Sequence, residues 1–326
     1  MKKAIIFHSE IPPDAPPDEL DVLHEAEFIK TSLEERGIEV MVSPFTSDIG
    51  AAGKAINEHK PDFIFNLVET MFGTGRLIHV APAYFDSLNI PFSGCPTDAI
   101  YLTSNKLTAK KLMKGYGLPT AKFVSCDSLE SFTCGMDEQY IVKSVWEHAS
   151  VGIDEHSFSL LDSTDAITGE LEKRKRERNE SFAECYIDGR EFNISMIGGK
   201  NGPQVLPFAE ICFVDYPDDK PKVVGYRAKW DEESFEYSHT VRNFEYPESD
   251  QPLLEKLEIL CHRCWNLFGL KGYARVDFRV DMNGNPFILE INANPCISPD
   301  SGFVAACNMA GISAGEMMER ILEDIF

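Results

Sequence analysis

Gly272-Tyr-Ala-Arg275-Val-Asp277-Phe-Arg279-Val-Asp281, followed by Phe287-Ile-Leu-Glu290-Ile-Asn292-Ala-Asn294-Pro295, is the stretch whose reading decides the fold of this chain. Apolar and polar residues alternate from Ala274 to Val280 and again from Phe287 to Ile291, and Asp281-Met-Asn283-Gly284-Asn285-Pro286 between them has hairpin-turn chemistry. Side chains repeat every two residues along a strand, so Arg275, Asp277 and Arg279 share one face, and Glu290 and Asn292 share a face of the partner strand. Two carboxylates and an amide on adjacent strands make a hard-oxygen cluster suited to Mg²⁺, which keeps its other positions for water and phosphates. An arginine beside such a site suits a developing negative charge. The plainer reading, a solvated face with ordinary charges, leaves the Asn-Ala-Asn-Pro run directly after the carboxylate unexplained.

The composition sets outer limits. At 326 residues, two or three domains are expected. With 43% apolar and 26% charged residues the chain reads as soluble and globular. A net charge of −22 opposes a general nucleic-acid partner, since phosphate backbones demand a basic surface. It does not oppose ATP, whose charge a few lysines and metal ions meet locally. No run approaches the length of a membrane span, and Met1-Lys-Lys-Ala-Ile-Ile-Phe7 reads as a first strand and not as a signal peptide. Nine cysteines without framework spacing suggest reduced thiols and a cytoplasmic location. Cys261-His-Arg-Cys264 lacks two further zinc ligands and falls in an expected helix, 253–267, so ordinary packing is the reading there.

Along the chain, strands are expected at 4–7, 39–42 and 63–67 and helices at 19–36 and 49–59, the alternation of a parallel sheet. Ligands bind beyond the carboxyl ends of such strands. Asn66 and Glu69 lie at one such end and are candidate substrate residues, with a helix-capping loop as the equal alternative. A helix is expected over 104–116, capped near Thr103 or Ser104. A strand at 139–145 carries Lys143, a helix spans 164–179, and 181–187 pairs with 191–197 as a hairpin across Asp188-Gly189-Arg190. Lys106, Lys143 and Lys229 are candidate phosphate cations, and Lys143 is the sharpest because it interrupts an apolar run. The loop Ala149-Ser150-Val151-Gly152 offers backbone N–H groups to phosphates, while the absence of G-x-x-x-x-G-K-[ST] excludes a P-loop.

The Arg275-Val-Asp277-Phe and Leu289-Glu290-Ile-Asn292-Ala-Asn294-Pro295 runs resemble the carboxy-terminal signature of ATP-grasp ligases, closest to D-alanine–D-alanine ligases. The resemblance extends over nearly the whole chain. It implies an α/β ATP-grasp fold with an N-terminal Rossmann-like (pre-ATP-grasp) parallel-sheet domain: residues 1–100 as the substrate-binding domain, 101–183 as the central lid subdomain and 184–326 as the catalytic subdomain. It implies that Lys106 and Lys143 contact ATP phosphates. Glu184-Cys-Tyr-Ile187-Asp-Gly189-Arg-Glu191 matches the family's hinge, so Glu184 and Ile187 border adenine and Glu191 holds the ribose hydroxyls. Lys229 in Ala228-Lys229-Trp230 reaches the γ-phosphate from a mobile loop, for which 215–237 is the expected lid. Asp277, Glu290 and Asn292 match the ligands of two Mg²⁺ ions, with Mn²⁺ a possible substitute. Arg275, Ser150 and Lys229 are the implied catalytic residues, and Ser301 contacts the carboxylate of the accepting amino acid. Homodimers are common in the resembled family.

The implied activity is ATP-dependent joining of a carboxylate to an amine through an acyl phosphate. The departures fall on the substrate side. Asn66-Leu-Val-Glu69-Thr-Met-Phe-Gly73-Thr-Gly75-Arg76 replaces the family's His-Gly and Gly-Glu-Asp-Gly motifs, Cys296 replaces a glycine, and Trp230 replaces a tyrosine. The family's amino-terminal glutamate has no clean counterpart, leaving Glu10, Asp18 and Asp21 as candidates. A different amino acid or carboxylate substrate is therefore expected. D-alanine–D-alanine ligase activity is the alternative, and a non-catalytic ATP-binding module is the alternative of another class.

Overall fold

The computed structural model describes residues 2–146, 160–218 and 220–326. The loop at 147–159, with Ser150, lies outside the described residues.

The chain begins with a parallel sheet. Strands β1 (Lys3–Ser9), β2 (Glu39–Phe45) and β3 (Phe63–Leu67) pair in the order β2-β1-β3, linked by helices α1 (Pro17–Glu34) and α2 (Ile49–His59). Ala4 to Phe7 are fully buried, because helices cover both faces of the sheet and leave the strand a continuous apolar run. Helix α1 starts two residues before the expected Glu19, since Pro17 suits the first helical position and Asp18 and Glu19 favour the positive end of the helix dipole. Helix α2 is capped by Asp48, which accepts from Gly50 N–H at 3.0 Å.

The expected helix over 104–116 is two helices, α4 (Thr97–Ser104) and α5 (Lys106–Gly115), which follow α3 (Val80–Ser87). Thr103 and Ser104 do not cap α5, because their hydroxyls bond back to carbonyls of α4, Thr103 to Ala99 at 2.8 Å and Ser104 to Tyr101 at 3.2 Å. Asn105 breaks the run and caps α5 by accepting from Thr108 N–H at 2.8 Å. Strands β4 (Phe123–Ser125), β5 (Tyr140–Ser144) and β6 (Ser181–Cys185) form a small antiparallel sheet with β6 in the middle, backed by α6 (Thr164–Arg176).

The expected hairpin of 181–187 with 191–197 does not form. Strand β7 (Arg190–Ile197) leaves β6 for another sheet, where it lies between β11 (Tyr273–Val280) and β9 (Ala209–Phe213), with the short β8 (Gln204–Val205) also paired to it. The reason lies at Gly189, whose φ of +140° and close approach to Val280 O carry the backbone over the end of β11 and not back along β6. This sheet runs β10-β9-β7-β11-β12, with β10 (Thr240–Asn243) at one edge and β12 (Pro286–Asn292) at the other. Between β9 and β10 lie the short helices α7 (Tyr226–Trp230) and α8 (Phe235–His239).

The β11–β12 hairpin forms as its alternation predicts. Asp281 closes the turn by accepting from Asn283 N–H at 2.9 Å and Asn285 N–H at 2.8 Å, with Gly284 at φ +76°. The sheet packs on α9 (Gln251–Phe268), which buries Cys261 and Cys264 as apolar side chains. Burial pushes the Cys264 thiol up to about 12, so neither redox nor metal chemistry is favoured there. Helices α10 (Gly302–Met309) and α11 (Ala314–Glu323) share a core with α1 and the parallel sheet, which ties the two ends of the chain together. Among the described residues, no helix is long and apolar enough to cross a membrane.

Candidate active site

The hairpin register sets the centre of the site. Arg275 lies opposite Asn292 and Asp277 opposite Glu290, and a bulge follows between Asp277 and Phe278. Arg275, Asp277, Glu290 and Asn292 therefore emerge on one face. Arg275 grips Asp277 with two hydrogen bonds, Nε to Oδ1 at 2.7 Å and Nη2 to Oδ2 at 2.8 Å. Burial works against the guanidinium charge, but Asp277 and then Glu290 hold it fully protonated. Lys106, at the first position of α5, reaches across to Glu290 with Nζ–Oε2 at 2.5 Å. Asn292 accepts from Asn294 N–H at 3.0 Å.

The donor set fits a hard divalent ion. Asp277 and Glu290 face each other with carboxylate oxygens only, and an amide oxygen adjoins them. Among the described residues no three His, Cys, Asp or Glu side chains converge as a self-sufficient metal cage. Mg²⁺ binds through one or two carboxylates and completes its shell with phosphate oxygens and water, so Asp277, Glu290 and Asn292 could hold it without further protein ligands.

A second charged group lies deeper. Glu184 on β6 is 1% exposed and sits between two lysines, Lys143 at 2.7 Å and Lys110 in direct contact. Burial opposes the Glu184 charge, yet Lys110 and Lys143 hold its carboxyl below the usual range. Lys110 is 1% exposed and also donates to Thr120 Oγ1 at 2.9 Å. Burial draws the Lys110 ammonium below its ordinary value against the pull of Glu184. Lys143 is drawn down by burial and more than restored by Glu184, Glu290 and Glu191. Sequence reasoning missed Lys110. Its signal is the four-residue spacing from Lys106, which brings both ammonium groups onto one side of α5.

Glu191 on β7 is buried, and burial raises its carboxyl above the usual range against the pull of Arg279. Lys229 on α7 makes no ion pair with any described residue. Burial and then Arg275 lower its ammonium, while Glu290, Asp277 and Glu191 oppose the shift. Cations from α5, β5, α7 and β11 thus surround carboxylates from β6, β7, β11 and β12 (a layout that a polyanion with its metal would complete).

The comparisons with known proteins bear on the family and the fold. A family model described as D-ala D-ala ligase C-terminus matches residues 112–323, well over half of the chain. The chain belongs to that ligase family. A D-alanine–D-alanine ligase of Acinetobacter baumannii is 29% identical over 241 residues, covering 72% of this chain and 71% of that protein. One from Pelotomaculum thermopropionicum is 28% identical over 279 residues, covering 82% and 81%. Among solved structures, D-alanine–D-alanine ligase from Bacillus anthracis complexed with ATP matches with a TM-score of 0.73 at 17% identity, covering 100% of this chain and 97% of that one. D-alanyl-alanine synthetase A from Vibrio cholerae matches with a TM-score of 0.75 at 16% identity, covering 99% and 98%. The fold is accordingly the ATP-grasp fold with an N-terminal parallel-sheet domain.

A cluster of acidic groups lies around Glu69, one of the residues expected from the sequence to face a substrate. Burial and the charges of Asp21 and Asp18, with Arg275 opposing, push the Glu69 carboxyl up to about 7. Glu25 on α1 is 2% exposed, accepts from Ile297 N–H at 2.6 Å and is raised well above the carboxylate range by burial and by Glu69. Cys296 donates to Asp21 Oδ2 at 3.1 Å, and Tyr226 on α7 donates to Asp18 Oδ1 at 2.9 Å. Of the three acidic candidates for the amino-terminal glutamate, Asp18 and Asp21 reach this cluster. Glu10 lies elsewhere, accepting from Ser47 N–H at 3.4 Å. Sequence reasoning missed Glu25, although Asp18, Asp21 and Glu25 recur on one face of α1 at helical spacing. Asn66 is 1% exposed and caps its own loop, accepting from Val68 N–H at 3.3 Å. Ser301 caps α10 by accepting from Val304 N–H at 3.2 Å. The Trp230 indole N–H is buried with no hydrogen-bond partner among the described residues.

Proposed function

We propose that this protein is an ATP-dependent ligase that joins a carboxylate to an amine through an acyl phosphate, with ADP and phosphate as by-products, and that its substrate pair is not two D-alanines. The observation that supports the chemistry best is the pairing of Asp277 with Glu290 across the hairpin, each neutralised by a cation, Arg275 and Lys106. Those cations have a second use in the reaction. Phosphates draw Lys106, Lys143 and Lys229 onto themselves, which frees Glu290 for metal while Glu184 keeps Lys110. Mg²⁺ bound there would supply charge neutralisation on the phosphate oxygens. Arg275 then faces the transferring phosphoryl group and the oxyanion of the tetrahedral intermediate. Glu191 accepts the ribose hydroxyls, and Glu184 and Ile187 border the adenine. The segment carrying α7 and α8 excludes water that would hydrolyse the acyl phosphate.

The different substrate is supported by the acidic cluster of Asp18, Asp21, Glu25 and Glu69 and by Cys296 and Trp230, which stand in place of a glycine and a tyrosine of the resembled family. Phosphate release with Mg·ATP against single D- and L-amino acids, their pairs and small carboxylates tests this. Release with a pair other than D-alanine supports the reading. Full turnover with D-alanine alone refutes the substrate half of it.

A further inference from the structure

Arg279 has no role in the chemistry above, yet it is the most heavily bonded cation near the site. It is 3% exposed on β11, directly opposite Glu191 of β7. Its Nε donates to Ile187 O at 2.9 Å. Its Nη1 donates both to Glu191 Oε2 at 3.1 Å and to Lys222 O at 2.9 Å. Its Nη2 reaches Tyr186 Oη at 3.4 Å, and the guanidinium lies 5.4 Å from the centre of the Tyr186 ring. One side chain thus holds three segments: the linker between β6 and β7, the carboxylate read as the ribose acceptor, and the stretch that leads into α7 and Lys229.

A surface arginine has no use for this many fixed partners, and a buried one is costly unless each donor is satisfied. The planar fork of the guanidinium is what allows several acceptors to be bound at fixed angles at once, and a lysine cannot copy it. The end of the linker meets the same strand end a second time, where Arg190 pairs with Val280. With Glu191 Oε2 taken by Arg279, Oε1 is the oxygen left for hydroxyl donors. Without Arg279 a buried carboxylate would be free to rotate or to take up a proton, and would lose its preference for a diol.

We propose that Arg279 is a positioning residue for nucleotide recognition, fixing the Glu191 carboxylate between the linker and the Lys222 segment so that ATP is distinguished from its 2′-deoxy form. The proposal rests on the reading of Glu191 as the ribose acceptor. The test is calorimetric binding of ATP and of 2′-deoxy-ATP, with Mg²⁺ and no other substrate, to the full chain and to Arg279→Met, Arg279→Lys and Glu191→Gln. A hydrogen bond to a charged acceptor predicts that wild type prefers ATP by on the order of tenfold or more. Arg279→Met is expected to bring that preference to within about threefold of unity, because the charged acceptor is no longer held in place. Arg279→Lys is expected to fall between the two, and it carries the test should the methionine variant fail to fold. A wild-type preference in either Arg279 variant overturns the proposal, as does an equal loss for both nucleotides, which marks a merely structural role. A wild-type preference in Glu191→Gln overturns instead the ribose reading on which the proposal stands.

Discussion

Replacing Glu69 with glutamine should make this protein more stable, and only at high pH. A carboxyl that holds its proton more tightly when folded than when unfolded favours the folded state at low pH and costs stability as pH rises. Glu69 is raised from 4.5 to about 7 by burial and by Asp21 and Asp18, with Arg275 opposing. At ~1.36 kcal/mol per pKa unit, that gap corresponds to about 3 kcal/mol at pH 8.5, and to less than about 1 kcal/mol at pH 5, where the folded group is protonated and pH lies only just above the unfolded value of 4.5. Glu69→Gln removes the cost, so urea unfolding followed by circular dichroism should show a gain of about 3 kcal/mol at pH 8.5 and a small one at pH 5. A variant no more stable than wild type at pH 8.5, or a gain independent of pH, refutes the reasoning. Stability held below its attainable value in this way is the mark of a group kept for function. The same variant should therefore lose turnover.

Three further outcomes are expected. Glu290→Gln removes a metal-facing charge and should lower turnover by roughly a thousandfold or more while moving unfolding by less than about 1 kcal/mol; wild-type turnover removes Glu290 from the metal site. Lys110→Met leaves Glu184 with one cation in a buried setting and should cost about 3 kcal/mol in urea unfolding, much of it regained in the double variant with Glu184→Gln. Gly189→Ala places a Cβ 2.1 Å from Val280 O at a φ of +140° and should cost roughly 2–3 kcal/mol, so an unchanged midpoint contradicts the linker geometry described above.

What the sequence could reveal depended on how local the determining physics was. The β11–β12 hairpin was legible because alternation, an Asx turn at Asp281 and Gly284 all lie within twenty residues of one another. The parallel sheet was legible from its buried apolar strands. The partner of β6 was not, because Gly189 sends the chain over Val280, a residue about ninety positions away. The break at Asn105 was hidden by three successive residues that can all cap a helix, and only the packing of α4 decides which of them does. On the site itself, strand parity placed Arg275, Asp277, Glu290 and Asn292 together. The positions of Lys110 and Glu25 follow from which face of α5 and α1 turns inward, and a hydropathy pattern reads charged residues on that face as solvated. Arg279 was visible as a strand residue, but its contacts with Ile187 and Lys222 join segments far apart in sequence.

The most direct test of carboxylate activation uses hydroxylamine in place of the unknown amine. The protein is incubated with Mg·ATP, hydroxylamine and pooled D- and L-amino acids and small carboxylates, and ADP and hydroxamate are measured together. Equal amounts of both, dependent on the carboxylate pool and absent in Glu290→Gln, are the expected result. ATP binding with no carboxylate-dependent ADP from any pool would contradict a ligase and leave a nucleotide-binding module in its place.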